Sequence, residues 1–244
     1  MTDVPMTATA ALKALQAASR PERVVSTERF FKAYPGGYSE GDKFLAVGVP
    51  QTRLIAKDFR GLPLSEIGKL IQSPWHDARL MVLIILVERY KRADESVRRE
   101  VYDFYIKHTA NINNWDLVDT SAEFIVGPWL DGRPEQMKAL QKLAASKLLW
   151  ERRIAMLATF HYIKQGRADE ALVIAKQLLY DQHDLIQKAV GWMLRETGKR
   201  VDRAILVAFL DQHAATMPRT TLRYAIEHFS PERRKHYLAL KSAS

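Results

Sequence analysis

The feature that most constrains this chain is a hydrophobic period that stays helical from Leu64 to Phe229. Runs at Leu64–Gln72, Trp75–Arg92, Ser96–Ile112, Asp116–Leu130, Pro134–Ala145, Leu149–Gln165, Ala168–Tyr180, Leu185–Thr197, Val201–Gln212 and Arg219–Phe229 are separated by short polar, Gly or Pro joints. Nearly every run spaces its apolar residues as Ile186, Val190, Met193 and Leu194 are spaced, on one face of a 3.6-residue turn. No stretch alternates with period two for long, which argues against a sheet. Helix pairs that recur at roughly 35 to 45 residues mark HEAT-like arrays, in which each pair buries its apolar face only against its neighbours. The period therefore predicts an all-α fold, a HEAT-like α-solenoid of antiparallel helix pairs whose concave face suits an extended partner.

Upstream of this region, residues 1–11 are Thr/Ala-rich with Pro5 and read as a flexible lead-in to a first helix through Leu12, Leu15 and Ala18. Residues 12–244 read as one continuous domain. Pro35-Gly36-Gly37-Tyr38, Gly41-Asp42 and Val47-Gly48-Val49-Pro50 read as turns that carry no chemistry. The glycines follow no strand and lack a following Gly-Lys-Ser/Thr, so they do not form a phosphate-binding loop. At 244 residues, 47% hydrophobic, the chain can bury a substantial core. With 0 Cys it has no disulfide, thiolate zinc site or cysteine nucleophile, which fits a reducing compartment. The longest apolar run, Met81 to Val87, is far short of the roughly 20 residues that span a bilayer, and no signal peptide is visible. A cytoplasmic protein is expected.

Three segments carry candidate chemistry. In Asn113-Asn114-Trp115-Asp116-Leu117-Val118-Asp119 an indole and a carboxylate stand four residues apart, so Trp115 and Asp119 share a helix face. Asp116 points away from that face and reads as a first-turn acid favoured by the helix dipole. The same spacing also fits an ordinary core edge with a solvated acid. In Trp150-Glu151-Arg152-Arg153 the paired arginines lie about 100° apart around the helix, so at least one is expected to reach an open face. Lys188, Trp192, Arg195 and Lys199 recur at i, i+4, i+7 and i+11 as a basic stripe containing an indole. Such a stripe suits a phosphate backbone with a sugar or base, and equally a solvated face beside a core-edge Trp. The formal net charge of +9 favours a polyanionic partner.

Asn114-Trp115-Asp116-Leu117-Val118-Asp119, Trp150-Glu151-Arg152-Arg153-Ile154-Ala155-Met156-Leu157 and Ile186-Gln187-Lys188-Ala189-Val190-Gly191-Trp192-Met193-Leu194-Arg195-Glu196 resemble, in order and interval, the AlkD-type DNA alkylation repair glycosylases. In helix pattern the resemblance runs from about Thr27 to Leu240. It implies a HEAT-like solenoid that hydrolyses the N-glycosidic bond of positively charged N3- and N7-alkylated purines in double-stranded DNA, as a monofunctional enzyme that does not flip the lesion into a tight pocket. It further implies that Trp115, Trp192 and Asp119 form the catalytic set. Arg153 would hold a phosphate, with Arg152, Lys188, Arg195 and Lys199 as further DNA contacts. Some members carry Trp-Trp where this chain has Asn114-Trp115.

The chemistry suits one carboxylate: a cationic purine leaves without being protonated, and the remaining demand is to stabilise the positive sugar. The alternative is a non-catalytic HEAT-repeat scaffold binding DNA or protein, since fold does not settle function. Asp119 separates the two, because a plain DNA clamp gains nothing from a carboxylate in a basic cleft. The seven histidines lack metal-ligand spacing, so neither a metal nor another cofactor is expected. A monomer, associated with the nucleoid through its DNA, completes the expectation.

Overall fold

The computed structural model describes residues 5–240, and the fold is all-α as the period predicts. The helices group into two compact units, one up to Ser121 and one from Ala122. The first unit holds α1 (Ala8–Ala17), α2 (Val24–Phe30), α3 (Val49–Asp58), α4 (Leu64–Ile71), α5 (His76–Arg92), α6 (Glu95–Lys107) and α7 (Trp115–Asp119). The second holds α8 (Ala122–Leu130), α9 (Gln136–Ala144), α10 (Leu149–Ala158), α11 (Phe160–Lys164), α12 (Asp169–Gln177), α13 (Asp184–Arg200), α14 (Arg203–His213), α15 (Arg219–Ala225) and α16 (Pro231–Ala239). Part of the expected lead-in, residues 1–4, lies outside the described residues, and its later part is already helical in α1, capped by the Thr7 hydroxyl.

The first unit is built round α5. Every residue from His76 to Val87 is buried, and α1, α3, α4, α6 and α7 all pack on it. A helix apolar on all sides has no solvent face to keep, so it belongs in the middle of a bundle. Its first turn nevertheless carries His76, Asp77 and Arg79, all buried. Such groups persist in a core only when paired. Asp77 accepts hydrogen bonds from the backbone N–H groups of Leu45 and Val47, each at 2.8 Å. Arg79 donates to the Ser73 carbonyl at 2.7 Å and lies 2.8 Å from the Asp42 carboxylate. The irregular segment 42–47 is thereby fastened to the start of α5.

In the second unit α13 plays the corresponding part, packing against α10, α11, α12, α14 and α15. Gly191 makes one of these approaches possible: a Cβ there would stand 2.4 Å from the Thr221 carbonyl oxygen and 2.6 Å from the Tyr224 Cβ.

Helix boundaries differ from the sequence expectation where side chains compete for backbone groups. The run 116–130 is two helices, because Thr120 donates to the Asp116 carbonyl at 2.7 Å and Ser121 to the Leu117 carbonyl at 2.5 Å. The run 149–165 divides at Thr159, whose hydroxyl donates to the Met156 carbonyl at 2.6 Å. α6 stops at Lys107 rather than at Ile112, where the His108 ring donates to the Phe104 carbonyl at 2.8 Å. α16 lies beyond the periodic runs, which end at Phe229, and inside the span of the family resemblance; Ser230 and Pro231 at its start form a cap and first-turn proline that the sequence displays.

Gly191→Ala should lower stability by about 1–3 kcal/mol, because the contact it crowds is backbone. Gly68→Ala should raise it by about 0.5–1 kcal/mol through helix propensity, since its Cβ would meet only the Phe104 ring at 3.9 Å. Urea denaturation of both variants checks the opposite signs.

Candidate active site

α7 has five residues, too few to hold itself together, so its placement depends on what grips it. Four consecutive residues each hold a distant one. The Asn113 amide donates to Asp42 at 3.1 Å, the Asn114 amide to the Ser39 hydroxyl at 2.6 Å, and the Trp115 indole N–H to the Tyr38 hydroxyl at 3.1 Å. Asp116 Oδ2 stands 2.8 Å from His76 Nε2 on α5. Asn114 is fully buried and its side-chain oxygen also accepts the Trp115 N–H at 2.8 Å, capping the helix. An Asn in this place, where some members of the resembled family have Trp, thus ties the helix start to the 39–42 turn.

Trp115 is half-buried in an aromatic cluster. Phe31 stacks on it at 5.5 Å between centroids, and Phe30 meets it edge-on at 5.6 Å. Phe31 in turn stacks on Phe44 at 5.3 Å, and both rings lie 4.9 Å from the His76 imidazole. Phe30 is 64% exposed, so the cluster reaches solvent on that side. Asp119, at the other end of α7, is also half-buried. Its charge is felt by Tyr105, a fully buried phenol whose hydroxyl bonds Ser121 at 2.9 Å. Burial foremost, then the Asp119 charge, push the Tyr105 pKa well above its ordinary value against the effect of the Ser121 bond.

Asp116 has a larger part than the first-turn acid expected of it. Its Oδ1 accepts the Leu117 N–H at 2.8 Å, while Oδ2 engages His76. Tyr38, His76 and Phe31 were missed as neighbours of Trp115. The turn containing Tyr38 reads from sequence as mere punctuation, and no local signal ties it to a residue 77 positions on.

In the second unit, α10 carries Arg152 and Arg153, and neither stands in open solvent as expected of at least one. Arg153 is 5% exposed and donates to the Leu185 carbonyl in the first turn of α13 at 2.6 Å. Arg152 donates to Asp181 at 2.7 Å and to the Ser146 and Lys147 carbonyls at 3.1 Å each. Both are drawn onto carbonyl and carboxylate oxygens of the neighbouring turns. Trp192, on α13, is half-buried and meets Phe160 edge-on at 5.9 Å.

The basic stripe exists on α13, but much of its charge is already matched. Lys188 pairs with Asp184 at 2.9 Å, and Arg195 pairs with Glu227 and with Glu196, the latter at 3.3 Å. Arg200 adds a bond to Glu196 at 2.7 Å. Burial tends to raise the Glu196 pKa, but Arg200 and Arg195 outweigh it and hold the carboxyl below its usual range. Lys199 is exposed. Among the described residues no cluster of His, Cys, Asp and Glu is arranged to hold a metal ion, and no helix is long and apolar enough to cross a membrane.

The family model of DNA alkylation repair enzymes matches residues 11–229. The chain belongs to that family. Its role therefore lies in the repair of alkylated DNA, and DNA is its substrate. A solved structure described as a predicted DNA alkylation repair enzyme from Enterococcus faecalis superposes with a TM-score of 0.67 over 87% of this chain and 97% of that one. At 14% identity this likeness speaks for the fold. No curated protein matches the sequence.

For a family member acting on DNA, matched and unmatched cations should contribute unequally to binding. Lys199→Ala should weaken binding to undamaged duplex and reduce the steepness of log K against log salt by about 0.9, the value of one phosphate contact. Lys188→Ala should do less, because Asp184 already competes for that ammonium. Titrations at several salt concentrations distinguish the two.

Proposed function

We propose that this protein is a DNA glycosylase that excises positively charged N3- and N7-alkylated purines by hydrolysis. The observation that carries the proposal is the Trp115–Asp119 pair on one short, externally gripped helix, in a chain whose family repairs alkylated DNA. In the reaction the bond between C1′ and the purine nitrogen breaks, and its electron pair leaves with the base, which becomes neutral. Positive charge moves onto the sugar. Water adds to C1′, gives up a proton, and leaves an abasic site.

Asp119 acts where the charge develops. A carboxylate about 4 Å from a unit positive charge, at an effective dielectric near 20, contributes up to roughly 4 kcal/mol. It also orients the attacking water and accepts its proton. The indoles of Trp115 and Trp192 each attract a cationic lesion or sugar by about 0.5–2 kcal/mol, and a neutral base gains less. Arg152, Lys188, Arg195 and Lys199 serve phosphates of the duplex. For Lys188 and Arg195 a phosphate must displace Asp184, Glu196 or Glu227, so their net gain is small. Arg153, held on Leu185, contributes mainly by fixing the start of the helix that carries Trp192.

Asp119→Asn keeps the size and much of the hydrogen bonding but removes the charge. Single-turnover release of 7-methylguanine should fall at least tenfold, corresponding to about 1.4 kcal/mol, while affinity for duplex DNA persists or rises. Asp116→Asn, which retains a partner for His76, should slow release much less. Unchanged release in the first variant, or an equal loss in the second, overturns the assignment of the carboxylate.

A further inference from the structure

The cations of α3 differ from those of α13. Arg53 and Lys57 stand on α3 at i and i+4 and Arg60 in the turn just after it, all exposed, and no carboxylate among the described residues pairs with them. The like charges of Arg53 and Lys57, one turn apart on the helix, repel each other in the free protein. Together with Arg92 they rim a cavity of about 340 Å³ in the first unit, floored by the buried Ile84 and Ile85 of α5. The one carboxylate in the wall, Glu88, is already bonded to Lys91 at 3.2 Å and Arg92 at 3.5 Å. The lining thus carries four cations against one anion, a net of +3. Glu88 follows His76 by twelve residues of one helix, which sets this cavity about 18 Å along α5 from the His76–Asp116 contact.

We infer that this cavity is a second DNA-binding site, which takes the sugar–phosphate backbone of a duplex separately from the candidate active site. Arg53 and Lys57 are spaced about 6 Å along the helix axis, and Arg60 follows in the turn that leaves the helix. A DNA strand presents one phosphate per roughly 3.4 Å of its axis, so long side chains on such a row meet neighbouring phosphates of one strand without rearrangement. Between them the apolar floor faces deoxyribose carbons. The unbalanced charge is what a polyanion would neutralise, and the site reads no base, so binding is independent of sequence. A chain with two such sites holds two duplex segments at once. The inference rests on DNA as the partner and not on glycosylase chemistry.

The test uses the full chain, a short undamaged duplex and low salt, with stoichiometry read by sedimentation. The protein should bind a second duplex, and Arg53→Gln/Lys57→Gln/Arg60→Gln should bind one, with its total salt slope reduced by about 2–3. The variant's melting temperature should stay level or rise, because like-charge repulsion is removed. Pyrophosphate should displace only the second duplex. A single duplex bound by the unaltered protein, or two still bound by the triple variant, overturns the inference. So does pyrophosphate binding that the triple substitution abolishes while duplex stoichiometry stays the same, because the cavity would then serve a small anion. The readout is blind to bond cleavage, so excision assays judge the glycosylase proposal separately.

Discussion

The first unit depends on a helix with no solvent side. Because α5 is buried from His76 to Val87, whatever touches its first turn is held as firmly as the core itself. His76, Asp77 and Arg79 turn that rigidity outward, to Asp116, to the backbone of Leu45 and Val47, and to Asp42. α7 then inherits its position, since a helix of five residues cannot supply the cost of its own nucleation. Asn114 caps it, the Phe30–Phe31 rings pack its indole, and Asp116 fixes it to α5. Asp119 is thereby placed by its neighbours rather than by its own helix.

How much of this was legible in the sequence follows from the range of each interaction. The all-α fold rests on local periodicity, and the period displays it. Trp115 and Asp119 share a helix turn, so their spacing could be read directly. The break after Asp119 could not, because Ser121 is engaged by Tyr105 from another helix as well as by its own backbone. Tyr38 and His76 lie 77 and 40 residues from the side chains they hold, and no pattern announces such pairs. Arg195–Glu227 is hidden in the same way, across 32 residues. Asp184–Lys188 was not hidden: a carboxylate four residues before an ammonium is an ordinary helical pair, visible beside the stripe.

Charge therefore has to be judged by its partners and not by its count. A formal +9 predicts a polyanion, yet on α13 two of the three stripe cations are already matched by carboxylates, while Arg53 and Lys57 on α3 and Arg60 just after it are matched by none among the described residues. Matched cations order the protein before DNA arrives and lose part of their gain when phosphates compete for them. Unmatched cations destabilise the free protein slightly and gain the most from a polyanion.

In the reaction we propose, rate comes from stabilising positive charge, supplied first by the lesion and then by the sugar. The measurement closest to it compares single-turnover release of cationic 7-methylguanine and neutral hypoxanthine from the same position of one duplex, scored as free base and as abasic sites. Release of 7-methylguanine with hypoxanthine left in place is the predicted result. Release of both at similar rates, or retention of 7-methylguanine by the fully folded protein, contradicts it.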